Sequence, residues 1–241
     1  MSEFNQYRPQ SNFGIPMVVK NLLIINVLFY IATLIMDTKG INLYTLFADH
    51  FPTAPDFRVW QPITSMFMHD RKDVMHLAVN MLGLFVFGVK LEQYWGPQRF
   101  LTYYMVTGIG ASIAHYTVLY FTMIRPYEMQ LTAAGLSGEI YGEYMDALLN
   151  YATVSLGASG AIFGLLLGYG MLFANTELML MFFPVPIKAK YFVIGYGLVE
   201  LFSGIRNSAN DNVAHFAHLG GMLFGFIMIK YWNKTNRKRF Y

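Results

Sequence analysis

The sequence predicts an all-α polytopic membrane protein, a bundle of six transmembrane helices with a polar segment at each end. Three observations lead there. Of 241 residues, 55% are hydrophobic and only 13% are charged, where a soluble domain carries about a quarter charged. With a mean hydropathy of +0.38, the apolar surface exceeds what one core would bury, and lipid is its natural partner. Second, six apolar runs punctuate the chain, separated by polar or proline-containing stretches. Third, six crossings put both termini on one side, and the basic residues agree. Lys39, Arg58, Arg71, Lys72, Arg125 and Arg206 fall on the outer side, leaving eleven of the seventeen Lys and Arg on the side of the termini. That bias predicts cytoplasmic termini. A net charge of +3 with no internal basic run argues against nucleic acid, and the absence of cysteine excludes disulfides and thiolate chemistry.

Residues 1–16 form a polar N-terminal segment, too poor in basic residues for a signal peptide. Met17–Met36 is the first span, long enough to cross about 30 Å of hydrocarbon. The loop from Asp37 to Asp73 holds Tyr44, Leu46, Phe47, Phe51, Phe57, Trp60 and Phe67. Such bulk predicts either a loop folded onto the bilayer surface or a small core of its own. Val74–Val89 is the second span and Phe100–Met123 the third, joined by a turn at Gly96-Pro97. Arg125–Asn150 is a polar insert ending in a surface helix, with Ser137 placed to cap it and Ile140, Tyr144, Ala147, Leu148 and Tyr151 on one face. Val154–Phe173 is the fourth span. Pro184 and Pro186 break the chain before the fifth, Tyr191–Ile205, and the sixth, Val213–Trp232. The membrane domain is therefore residues 17–232, and 233–241 is a basic tail suited to anionic headgroups.

Polar side chains inside spans are costly and point to function. With this topology His76 and Asn80, Ser159, and His215 and His218 all lie in the first turns of helices entering from the outer side. They bring a hydroxyl, imidazoles and an amide to one depth. Serine is a weak nucleophile until a base takes its proton, and an acyl transition state needs donors aimed at the developing oxyanion. His76 and Asn80, four apart on a helix, share a face, and with the Ser159 backbone N–H they would form an oxyanion hole. Gly157 and Gly160 leave room for a substrate backbone to approach. Gly160, Gly164, Gly168, Gly221 and Gly225 are also spaced for close helix packing, which would draw the fourth and sixth spans together. His215 and His218 are three apart and nearly share a face, so periodicity does not choose between them as the base. No Asp or Glu is placed by sequence to complete a triad, and a Ser–His dyad is the economical expectation. Glu200, alone deep in the fifth span, is expected to hydrogen-bond between helices. His115 is expected to be buried and bonded, and His69 is a weaker candidate donor at the mouth of the site.

Gly157-Ala158-Ser159-Gly160, His76-x-x-x-Asn80 and Ala217-His218-x-x-Gly221-x-x-x-Gly225 together resemble the rhomboid intramembrane serine proteases, over about Trp60 to Gly225. The resemblance implies a six-helix core that cleaves other proteins' transmembrane segments near the membrane surface. It makes Ser159 the nucleophile and His218 the general base, with His76 and Asn80 on the oxyanion. Phe163 takes the place of an aromatic that packs on the catalytic histidine. The chain departs from the family where Trp60-Gln61 replaces a Trp-Arg pair, in a longer interval from His69 to His76, and in the Arg125–Asn150 insert.

The expected function is thus an intramembrane serine endopeptidase in the plasma membrane. Its active site faces outward through a hydrophilic cavity lined by His76, Asn80 and His218. Its partners are lipid and transmembrane segments of substrates. Neither a His-Glu-x-x-His motif nor a paired aspartate is present, so no metal or other cofactor is expected. The alternative is a rhomboid-like protein that binds transmembrane helices without cutting them. A transporter would show an internal repeat and midplane polar groups, and the chain shows neither.

Overall fold

A computed structural model describes residues 14–180, 183–206 and 212–235. Most of the N-terminal segment and the tail residues Arg237, Lys238 and Arg239 lie outside the described residues, as does the Tyr151 side chain. Among the described residues the chain is all-α apart from one hairpin. Among the described residues there are six long helices: α1 (Met17–Asp37), then, after the short α2 (Tyr44–Phe47) and α3 (Gln61–Thr64), α4 (Val74–Trp95) and α5 (Pro97–Leu119). A π-helical turn, α6 (Arg125–Ala133) and α7 (Gly138–Ala147) precede the remaining three, α8 (Ser159–Leu172), α9 (Ala189–Ile205) and α10 (Asn212–Thr235). Length and apolarity alone single out α1 and α4 as able to cross a membrane.

Helix α8 sits at the centre, packed by α4, α5, α9 and α10. Ten of its fourteen residues are buried, so an apolar sequence with no polar face is what this position requires. Small residues set the spacing. A Cβ on Gly160 would overlap the Ala111 side chain of α5, one on Gly164 would meet Thr107, and one on Gly221 would overlap the Gly160 carbonyl. The glycines therefore bring three helices together, α5 as well as α8 and α10. Helix α8 begins only at Ser159, later than the span expected from Val154, because Gly157 takes φ +120° and breaks the helical path. At the other end, the buried Glu92 of α4 accepts from the N–H groups of Val18 (3.0 Å) and Val19 (2.8 Å). An anion there satisfies orphan donors and complements the dipole of α1.

The first loop builds a small core of its own. Phe51 and Ala54 pack with Leu119 of α5, Ile124 of the π-helical turn, and Leu131, Met145 and Leu149 of the insert, with Phe57 against them, while Leu46, Val59 and Trp60 stay exposed. Gln61 anchors this loop, at the position where the resemblance implied arginine. Its Oε1 accepts from the N–H groups of His50 (3.4 Å) and Arg58 (3.0 Å), and its Nε2 donates to the carbonyls of Thr45 (3.2 Å) and Asp56 (2.9 Å). A neutral amide can donate and accept, so it ties four backbone groups without a buried charge. The insert holds two helices rather than one. Ser137 occupies the N-cap position of α7, but its side chain makes no capping bond, and Gly138 follows at φ +63°. The proline-containing break before α9 is an antiparallel hairpin, β1 (Glu177–Leu180) with β2 (Phe183–Lys188). Prolines are tolerated there because each strand is an edge.

Candidate active site

The N-terminal turns of α4, α8 and α10 meet at one end of the bundle, and the side chains singled out in the sequence are found there. Ser159 opens α8. The approach to it is pinned from the first loop: Asp49 and Ser155 exchange two backbone hydrogen bonds of 2.8 Å, and the Gly157 N–H donates to the Ser65 carbonyl at 2.9 Å. Being first in its helix, the Ser159 N–H has no intrahelical acceptor and sits at the positive end of the α8 dipole.

His218 Nε2 lies 2.9 Å from Ser159 Oγ. The imidazole is clamped between two elements. Phe163, one turn into α8, stacks on it with ring centroids 4.1 Å apart and planes 6° apart. Behind it, His218 Nδ1 lies 3.0 Å from Glu200 Oε2 of α9. His215 turns the other way, its Nδ1 2.6 Å from the same carboxylate oxygen. Of the two histidines that periodicity could not separate, it is His218 whose ring nitrogen lies within hydrogen-bonding distance of the Ser159 hydroxyl. Glu200 does hydrogen-bond between helices, and it lies on the Nδ1 side of the histidine whose Nε2 faces the serine. The sequence pointed to no acid as a third member, and the structure places this one within hydrogen-bonding distance of His218. The signal was faint but present, because Glu200 is the one carboxylate within α9 and the structure buries it to 6% exposure.

The oxyanion candidates are placed unequally. The His76 ring lies against Gly157: a Cβ there would be 3.0 Å from His76 Cε1 and 3.1 Å from Nε2. Only glycine combines that closeness with φ +120°. Asn80 is buried, but its Nδ2 donates to the His76 carbonyl at 2.8 Å, leaving one amide N–H for any other acceptor. His69 is fully buried beside His76, rings 5.2 Å apart, with neither nitrogen in a well-formed hydrogen bond. His115 is buried, with Nε2 3.5 Å from the Thr153 carbonyl. A cavity of about 40 Å³ does reach Ser159, but its walls include Ser65, Ser112, His115 and Ser155, not the expected His76, Asn80 and His218. Its lining is about half polar, and it has room for a few waters.

The rhomboid domain family matches residues 56–149 and 136–234, which takes in Ser159, His218 and the elements that hold them. The chain belongs to the rhomboid family. Among its relatives, RHOMBOID-like protein 12, mitochondrial, of Arabidopsis thaliana is 30% identical over 83% of this chain and 52% of its own length. Rhomboid protein 1, mitochondrial, of Saccharomyces cerevisiae is 30% identical over 73% of this chain and 43% of its own. Rhomboid protease AarA of Providencia stuartii is 25% identical over 86% and 69%. The chain spans about half the length of the first of these. Rhomboids are integral membrane proteins, and the family includes a protease. Two of these three relatives are named mitochondrial, so the similarity does not support the plasma membrane expected from charge bias.

Proposed function

We propose that this rhomboid is an intramembrane serine endopeptidase acting on transmembrane segments of other proteins. The observation that carries the reading is the 2.9 Å contact from His218 Nε2 to Ser159 Oγ, made by a ring that Phe163 and Glu200 hold still. Ser159 Oγ attacks the scissile carbonyl carbon while its proton passes to His218 Nε2. The carbonyl oxygen, now an anion, is met by the Ser159 N–H and the His76 ring, with the remaining Asn80 N–H as a third donor. The C–N bond then breaks, His218 returns the proton to the departing amine, and water repeats the sequence on the acyl-enzyme. Glu200 is a positioning residue: by accepting from Nδ1–H it selects the tautomer whose Nε2 lone pair faces the serine.

All six long helices cross the membrane in this reading, with the termini in the cytoplasm and the N-terminal ends of α4, α8 and α10 toward the outer side. Its support is the exposed apolar belt, which includes Val27, Leu28 and Ile31 on α1, Val79 and Phe85 on α4, Leu198 and Phe202 on α9, and Phe226 and Ile227 on α10. So much contiguous apolar surface has no place in water.

Reconstitution with a single-span substrate tests the function. Wild type is expected to cleave, Ser159→Ala and His218→Ala to lose cleavage, and His215→Ala to retain it in part. Substrate capture without cleavage by wild type would favour the helix-binding alternative, and equal cleavage by Ser159→Ala would remove the serine from the mechanism.

A further inference from the structure

We propose that Glu200, His215 and His218 form a site for a divalent cation of the zinc type, and that the bound ion switches the peptidase off. The inhibition rests on the peptidase reading above; the site itself does not. Two imidazole nitrogens and one carboxylate oxygen converge, all within 4.8 Å of one another. His215 and His218 come from successive turns of α10 and Glu200 from α9. Tetrahedral zinc holds N and O donors at about 2.0–2.2 Å, which sets pairs of donors about 3.3 Å apart. The Glu200 Oε2 contacts of 2.6 and 3.0 Å are within 1 Å of that spacing, and the two imidazole nitrogens, no more than 4.8 Å apart, are within about 1.5 Å of it. Replacing the shared protons by an ion therefore asks for small ring shifts rather than a rebuilt backbone.

The donor chemistry selects the ion. Imidazole suits zinc and its transition-metal neighbours, whereas magnesium and calcium call for oxygen cages. The site is reachable: the His215 and His218 side chains are 21% and 19% exposed over a Glu200 that is 7% exposed. A fourth position toward that open side would be taken by water.

Inhibition follows from the tautomer. A neutral imidazole has one N–H and one lone pair. With the proton on Nδ1 and pointed at Glu200, the Nε2 lone pair faces Ser159 and accepts its proton. A metal bound at Nδ1 uses the lone pair there, so the ring proton moves to Nε2. The Nε2–H then points at Ser159 Oγ and has no capacity to accept. No proton is gained or lost by the ring, yet the base is gone. The ion also occupies Glu200, removing the group that restores the productive tautomer.

The test has two arms. Cleavage of a transmembrane substrate is titrated with zinc in wild type and in His215→Gln, each referred to its own activity in chelator. Zinc is expected to inhibit wild type reversibly and to need at least about tenfold more ion in the variant, which lacks one of three ligands. Equal inhibition of the two, or none of wild type, overturns the proposal. The second arm uses no activity: cobalt(II) is added to Ser159→Ala and to Ser159→Ala/His215→Gln, and the visible absorption of a four-coordinate ion is recorded. The band is expected in the first and lost in the second; its absence from the first, or its persistence in the second, overturns the site. If wild type proves not to cleave, this arm still decides whether the metal site exists.

Discussion

At the scale of single residues, the proposed chemistry hangs on which nitrogen of His218 carries a proton, and Glu200 is the side chain placed to decide it. His218 Nδ1 lies 3.0 Å from the carboxylate, so in the proposed mechanism Nδ1–H donates there and Nε2 is left free for Ser159. Glu200→Gln presents an amide that can offer N–H to Nδ1 and so favour the opposite tautomer. The expected outcome is a fall in kcat of about 10²-fold or more with KM little changed, since general base catalysis contributes about 10²–10⁴. Steady-state kinetics on a reconstituted substrate measures it. A Glu200→Gln enzyme with wild-type kcat would mean that Phe163 stacking alone orients the ring. Ser159, His76 and Gly157 were readable from the sequence because each sits in a short pattern. Glu200 was readable as a group that hydrogen-bonds between helices but not as the partner of His218, because the histidines it meets are 15 and 18 residues away on another helix.

At the scale of elements, the Ser159–His218 distance depends on how closely α8 and α10 approach. A Cβ on Gly221 would run into the backbone carbonyl of Gly160, and backbone cannot swing aside as a flexible side chain can. Gly221→Ala is therefore expected to force the helices apart, lowering the Tm in detergent and reducing activity together, at a cost of about 1–3 kcal/mol. Gly142, in the interior of α7, meets nothing within 4 Å. Gly142→Ala is expected to be neutral or to stabilise by about 0.5–1 kcal/mol through helix propensity. Thermal unfolding of the two variants side by side checks the contrast; equal losses would mean that small-residue packing is not what sets the α8–α10 spacing. Helix periodicity marks such glycines as interfacial but does not name the facing helix. That Gly160 meets α5 and Gly221 meets α8 depends on crossings no single helix encodes.

At the scale of the whole molecule, the first loop couples to the site through buried titratable groups, and their shifts have opposite signs. Burial pushes the Asp49 carboxyl up to about 6 from 3.8, against hydrogen bonds from Tyr116 and Ser112. Between about pH 4 and 6 the folded protein keeps a proton that the unfolded chain has released, so this group makes stability fall as pH rises. Burial, reinforced by the neighbouring His76, pushes His69 down to about 4 from 6.5. Between those values the unfolded chain binds a proton that the folded one does not, so this group makes stability fall as pH falls. The two oppose across the overlap and flatten the wild-type profile. Asp49→Asn is expected to leave the histidine alone and steepen the loss of Tm on acidification from pH 6 to 4. His69→Gln is expected to leave the carboxyl alone and reverse that slope. Tm measured in detergent over pH 4–7 tests both, and unchanged slopes would show that neither group titrates with folding.

The sequence by itself determined the helical class, the approximate positions of the long helices with close boundaries for α1 and α9, the family, and which serine and histidines belong to one end of the bundle. Apolar period, charge bias and short motifs are local properties, so they survive without a fold. Only the tertiary structure decided that His218 rather than His215 lies within hydrogen-bonding distance of Ser159. It also decided that Gln61 ties the first loop, that the cavity opens toward α5, and that Glu200 stands behind the histidine. Each of these is a contact between elements far apart in the chain, fixed by packing distances that no stretch of sequence specifies alone.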